Sequence, residues 1–156
     1  DFFFEHQRPQ AWRHWGEVVW RERDNPKFIG DMPHTWVGSD FIRSTLDMLA
    51  FEQESDSSLV LGAGIPEQWV RQDNGVTLKG LSTHYGLLSY SMRAAGEAIE
   101  VGIDAGTRIP PGGIVVRSPS DNPVRDARVN GVVAPVQGNA VIVRTLPAVI
   151  TFRHQP

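Results

Sequence analysis

The sequence predicts a mainly β fold: an antiparallel β-sandwich preceded by an irregular, tryptophan-rich segment and one long α-helix. Three observations lead there. Glycine (15) and proline (11) are frequent in 156 residues, and such punctuation divides a chain into many short strands. From residue 59 onward, short apolar runs with period-two alternation recur between the turns, as half-buried strands require. Trp12, Trp15, Trp20 and Trp36 crowd the first quarter, with only Trp69 beyond it.

Residues 2–7 read as the last turns of a helix that Pro9 stops. Residues 12–20 (WRHWGEVVW) combine Gly16 with β-branched Val18 and Val19, which favours an extended segment. Residues 21–26 form a polar loop. Phe41, Ile42, Thr45, Leu46, Leu49 and Ala50 then fall on one helical stripe. Asp31 or Ser39 is the expected cap, with Pro33 tolerated in the first turn. Residues 52–58 (EQESDSS) read as a polar linker, and Glu52, Glu54 and Asp56 as a solvated edge. The expected division is therefore 1–55 and 56–156.

In the second part, 59–65 is a short apolar run, 66–70 a single helical turn, 76–81 an alternating strand and 85–93 a longer one closed by a turn at 94–97. Residues 98–104 place Ile99, Val101 and Ile103 on one face. Segments 113–116, 124–129, 132–136, 140–144 and 149–153 complete a set of about eight strands, the number expected of a sandwich. Asn130-Gly131 and Gly138-Asn139 are tight-turn signals.

Composition excludes several classes. Hydrophobic residues make up 40% and charged residues 21%, which is ordinary for a globular chain and not for a disordered one. No run of about 18 apolar residues occurs, so no membrane span is expected. The formal net charge is −3 with scattered Lys and Arg, so nucleic acid is not an expected partner. Without cysteine there is no disulfide, thiol nucleophile or thiolate metal site. Gly62-Ala63-Gly64 lacks a following dinucleotide-binding helix and reads as structural. His34 and His84 are isolated and no H-x-x-x-H spacing exists, so neither a metal nor another cofactor is expected. The opening Asp1-Phe2-Phe3-Phe4 suggests a fragment or processed chain.

One region carries a chemical signal. Trp12, Trp15, Glu17, Trp20, Asp31, His34 and Trp36 share an irregular stretch. Indole faces pack on the C–H faces of sugar rings, while carboxylates and imidazoles bond their hydroxyls. The alternative is that the tryptophans plug a helix–sandwich interface. A second aromatic group, Trp69, His84 and Tyr85, suits a carbohydrate-binding face on the sandwich, unless Trp69 anchors its helical turn to the core.

Several stretches carry a family resemblance. Phe28-Ile29-Gly30-Asp31-Met32-Pro33-His34-Thr35-Trp36-Val37-Gly38-Ser39-Asp40-Phe41-Ile42-Arg43-Ser44 resembles the last barrel helix of bacterial six-hairpin, (α/α)6-barrel glycosidase-like proteins. These often carry the label coagulation factor 5/8 type (discoidin) domain proteins. Thr83-His84-Tyr85-Gly86-Leu87-Leu88-Ser89-Tyr90, Arg108-Ile109-Pro110-Pro111-Gly112-Gly113 and the closing hairpins from Val129 to Phe152 resemble the C-terminal β-sandwich of the same proteins. More distantly, Trp15-Gly16-Glu17-Val18-Val19-Trp20 is similar to the W-x-E-x-W-like segment of α-L-rhamnosidases, although Trp20 stands three residues after Glu17 rather than two.

The resemblance implies a C-terminal piece of a glycoside hydrolase: the last barrel segment in 1–55 and a structural sandwich in 56–156. It makes Glu17 the general base and His34 a sugar contact, with Trp15, Trp20, Asp31 and Trp36 lining the site. The competing role for Glu17 is to fix its loop through Arg13 or Arg21. Glycoside hydrolysis normally uses two carboxyl groups. The acid would come from an earlier barrel helix, Asp31 and Asp40 being the nominal candidates here, so the chain alone is not expected to be active. Expected partners are a carbohydrate and the upstream barrel or a docking protein, and a periplasmic or secreted location is expected. A missing barrel would leave an exposed apolar patch on residues 1–50. The rival reading is a stand-alone carbohydrate-binding or docking sandwich without catalysis.

Overall fold

The computed structural model describes residues 2–7, 10–20, 22 and 30–155. They form two compact units, Asp1–Leu46 and Asp47–Pro156. In chain order the helices are α1 (Phe2–Glu5), α2 (Thr35–Leu49) and α3 (Glu67–Arg71). The strands are β1 (Ala50–Gln53), β2 (Ser58–Leu61), β3 (Val76–Thr83), β4 (Gly86–Ala95), β5 (Ala98–Ile103), β6 (Gly113–Arg117), β7 (Val124–Val129), β8 (Val132–Val133), β9 (Ala140–Val143) and β10 (Ala148–His154).

The larger unit is a two-sheet sandwich, ordered β1-β2-β6-β9 and β3-β4-β5-β10-β7-β8. Pairing is antiparallel except between β2 and β6, where the long intervening excursion supplies the crossover that parallel neighbours need. Alternation builds the core row by row. Met92 faces Val101, which faces Ile150. Tyr90, Ile103 and Ala148 form a second row, and Ala94, Ile99 and Phe152 a third. From the smaller sheet, Leu59–Ile114–Val143 and Leu61–Val116–Val141 complete the core. All four positions of β2 are buried, which is why Leu59, Val60 and Leu61, after buried Ser58, form a continuous apolar run rather than an alternating one.

Polar groups close the upper edge of this unit. The Tyr90 hydroxyl donates to the Leu49 carbonyl at 2.8 Å, and burial pushes the phenol's pKa up. The Gly62 N–H donates to the same oxygen at 2.9 Å, and the Gly64 N–H to the Met48 carbonyl at 3.0 Å. These bonds satisfy carbonyls that a helix C-terminus leaves unpaired. Position 64 must be glycine for this approach, since a Cβ there would stand 2.8 Å from Met48 Cγ and 2.9 Å from its Cα.

The structure corrects several local expectations. The stretch 52–58 is not a linker: β1 ends at Gln53 and β2 begins at Ser58. Its polarity is that of an edge strand and a turn. Glu52 Oε1 accepts the His84 N–H at 2.7 Å, and Asp56 Oδ1 accepts the Ser58 N–H at 3.1 Å. Tyr85 lies in the β3–β4 turn rather than in a strand, and β8 is shorter than the expected 132–136.

In the smaller unit the stretch expected to be extended is a 3₁₀ turn at Gln10–Trp12 followed by irregular backbone. Neither Asp31 nor Ser39 caps α2. The His34 carbonyl accepts the Gly38 N–H at 3.3 Å, so Asp31 precedes the helix and Ser39 lies inside it. Pro9 and the loop expected over 21–26, apart from Glu22, lie outside the described residues. No residue of α2 is buried, and Phe4, Trp12, Val18, Trp20, Trp36, Ile42 and Leu46 are all exposed. No helix among the described residues is long and apolar enough to cross a membrane.

Tyr90→Phe is expected to lower unfolding stability by about 1 kcal/mol in a denaturant titration. The Gly62 N–H remains on the Leu49 carbonyl, which keeps the loss below the full cost of an unsatisfied buried acceptor.

Candidate functional site

Three backbone hydrogen bonds tie the Trp15–Val18 and 30–34 stretches together. Glu17 N donates to Asp31 O at 3.0 Å, Gly30 N to Val18 O at 3.1 Å and His34 N to Trp15 O at 2.9 Å. Glu17, Asp31 and His34 are thereby gathered into one neighbourhood, with Trp36 in the first turn of α2. The His34 and Trp36 rings meet edge-on at 5.7 Å.

The exposed side chains suit a ligand better than a core. Trp36 is 77% exposed and Trp20 42%, while Glu17 and Asp31 also face solvent. Trp15 is different. It is only 8% exposed and its ring packs on Phe41 at 4.9 Å, while the Phe4 ring meets Phe41 edge-on at 5.7 Å. Trp15 therefore holds the segment on α2 instead of presenting a sugar platform. The Trp15 N–H donates to His14 Nδ1 at 2.9 Å, and His34 Nδ1 is buried without a partner among the described residues.

Glu17 makes no ion pair with Arg13 among the described residues, and Arg21 lies outside them. Its side chain instead lies against Gly30. A Cβ at position 30 would stand 2.7 Å from Glu17 Oε2 and 2.8 Å from its Cβ. Gly30 therefore gives the carboxylate its space.

The second aromatic group is not brought together. Trp69 sits on α3, whose Arg71 shares a groove with Ala95–Ala98 at one end of β4. His84 and Tyr85 lie in the turn at the other end, their rings 5.3 Å apart. Ten residues of β4 separate the two ends, about 30 Å at strand spacing. Nor does Trp69 anchor the helical turn. Val70 does so at 1% exposure, while Trp69 is 44% exposed.

A polar cluster that local sequence patterns do not reveal lies beyond the strand ends of the sandwich. Ser118 Oγ and His154 Nε2 are 2.7 Å apart, although 36 residues separate them in sequence. Arg71 Nε donates to Glu67 Oε1 at 2.6 Å. Burial raises the Glu67 pKa, but hydrogen bonds from Arg71 and Ser120 and the charges of Arg71 and His154 outweigh it and draw the value down. At His154 burial lowers the pKa, Glu67 opposes this and Arg71 adds to it, so the net shift is downward. The Ser118–His154 spacing is that of a nucleophile and its base. However, His154 Nδ1 has no partner among the described residues, and Glu67 is engaged with Arg71. Among the described residues the pair has no orienting carboxylate. Only the fold exposes this cluster, because no spacing rule links the end of β6 to the end of β10.

Among the described residues no three His, Asp or Glu side chains are grouped to hold a metal ion. Searches against family models, curated proteins and solved structures return no match for this chain.

The depressed His154 pKa sets a sign for acid stability. The unfolded chain takes up this proton near the ordinary value of 6.5, and the folded chain only at lower pH. Stability is therefore expected to fall as pH drops below about 6.5 toward the folded value. His154→Gln is expected to flatten that slope in pH-dependent denaturant melts.

Proposed function

We propose that this chain is the C-terminal region of a six-hairpin, (α/α)6-barrel glycosidase-like protein. In this reading α2 is the last barrel helix and the sandwich is its structural support. The segment from Trp12 to Trp36 contributes one wall of a sugar site. The observation that carries the reading is that α2 buries none of its residues, with Trp36 and Ile42 exposed on it. Upstream barrel helices would cover such a surface.

Glu17 is the general base. It faces solvent, has no competing cation among the described residues, and is held beside Asp31 by the backbone bond between them. An ionised carboxylate there activates a water against the anomeric carbon, while the acid comes from elsewhere in the barrel. Trp20 and Trp36 offer aromatic faces to the sugar, His34 and Asp31 supply polar contacts, and Trp15 positions the segment from below.

The test is hydrolysis of aryl glycosides by a polypeptide carrying the upstream sequence. Glu17→Gln is expected to reduce kcat by about 10²–10⁴-fold with an unchanged melting temperature. An unaltered rate would remove Glu17 from the mechanism. Gly30→Ala, which crowds the same carboxylate, is expected to reduce kcat without touching substrate. If glycans bind saturably to the 156-residue chain and the longer polypeptide does not hydrolyse them, the chain is a binding module instead.

A further inference from the structure

The larger sheet ends in a groove of about 830 Å³, within the size range of small-ligand sites. The β4–β5 turn supplies Glu97, the loop before β7 supplies Ser120 and Asn122, and β7 itself supplies Arg125. Arg153, His154 and Gln155 come from the end of β10, and Arg71 from α3. Three guanidiniums and one carboxylate thus line a groove in a protein whose formal net charge is −3.

Those cations are unevenly compensated. Arg71 is bound to Glu67 at 2.6 Å. Among the described residues Arg153 has only Asp126, at 3.8 Å, and Arg128 competes for the same oxygen at 3.5 Å. Arg125 has no ion pair or hydrogen bond among the described residues.

The backbone places Arg125 there by an irregularity. Arg153 pairs with Asp126, but His154 pairs with Val124. Arg125 is the extra residue of a β-bulge, a device that re-aims a side chain away from the regular ladder. The adjoining loop is built to hold that arrangement. Asn139 accepts the Val124 N–H at 3.1 Å and donates to the Ser120 and Asn122 carbonyls at 3.1 and 3.2 Å. Ser118 holds the His154 ring. The groove walls are therefore set before any ligand arrives.

We propose that this groove binds an acidic sugar, with its carboxylate or sulfate held by Arg125 and Arg153 and its hydroxyls met by the exposed side chains of Asn122 and Gln155. The anion half rests on the groove alone. The sugar half rests on the glycan reading above and extends it to a second, charged subsite on the sandwich. Guanidiniums suit the task because their paired N–H groups match carboxylate and sulfate oxygens. Arg71, tethered by Glu67, adds positive potential to the wall.

The test is calorimetric and NMR titration of the whole chain at low ionic strength with glucuronate, glucose and inorganic sulfate. Glucuronate is expected to bind saturably and shift the amides of Gly96, Asn122, Arg125 and His154. Sulfate should bind more weakly at the same amides, and glucose not measurably. Arg125→Gln and Arg153→Gln should each weaken glucuronate binding about tenfold, while Lys79→Gln, on β3, leaves it unchanged. Arg125 is exposed, so the melting temperature of its variant should match the parent's. No saturable binding of either anion, or unchanged affinity in both arginine variants, overturns the proposal. Glucose bound as tightly as glucuronate overturns its anion half, and sulfate bound as tightly as glucuronate overturns its sugar half. Glu17→Gln should leave this binding intact, so failure at Glu17 and failure at Arg125 are read separately.

Discussion

The larger unit depends on burying the inner apolar face of one sheet against that of the other. Ile99, Val101, Ile103, Ile150 and Phe152 from the six-stranded sheet meet Leu59, Leu61, Ile114, Val116, Val141 and Val143 from the four-stranded one. Each such side chain contributes about 1.5–3 kcal/mol by leaving water. An exposed ion pair such as Arg93–Glu100, even at 2.6 Å, contributes about 0–1 kcal/mol. The core therefore sets the register, and polar groups are free to specialise where strands end. Both the hydrogen bonds on the Leu49 carbonyl and the arginine groove occupy such ends.

The smaller unit is held differently. No side chain of α2 is buried, and order in the segment before it comes from three backbone bonds and the stacking of Trp15 on Phe41. This arrangement leaves indoles and carboxylates facing outward together. It also leaves apolar area without cover, which is costly for a soluble surface unless it has a use. A barrel neighbour and a sugar ligand are two uses for adjoining parts of one surface, and the proposed function assigns both.

Legibility followed the length and regularity of each pattern. The strand over 124–129 and the inward face of Ile99, Val101 and Ile103 were readable because period two leaves little choice of face. The edge strand β1 was not, since Glu52 and Gln53 look the same in a loop as on a solvent-facing edge. The start of α2 is not legible because the residue before it is His34, whose carbonyl accepts the first helical bond from Gly38 but whose side chain is not of a capping type. Val70 rather than Trp69 anchors α3, as helix rotation against the core decides which of two adjacent apolar residues turns inward. In the candidate sugar site the composition signalled aromatic and acidic groups, but only the pairing of 17–18 with 30–31 separates buried Trp15 from exposed Trp20 and Trp36.

By itself the sequence determined the fold class, the apolar faces of the strands and the absence of cysteine chemistry, because each is a local or compositional property. Tertiary structure alone decided which distant polar groups meet. Ser118 reaches His154 only because β6 and β10 end near one another. Arg125 enters a groove only because β7 carries one residue more than its partner strand can pair. Such juxtapositions depend on register and strand order, which are set by the packing of the whole core and leave no mark in any short stretch of chain.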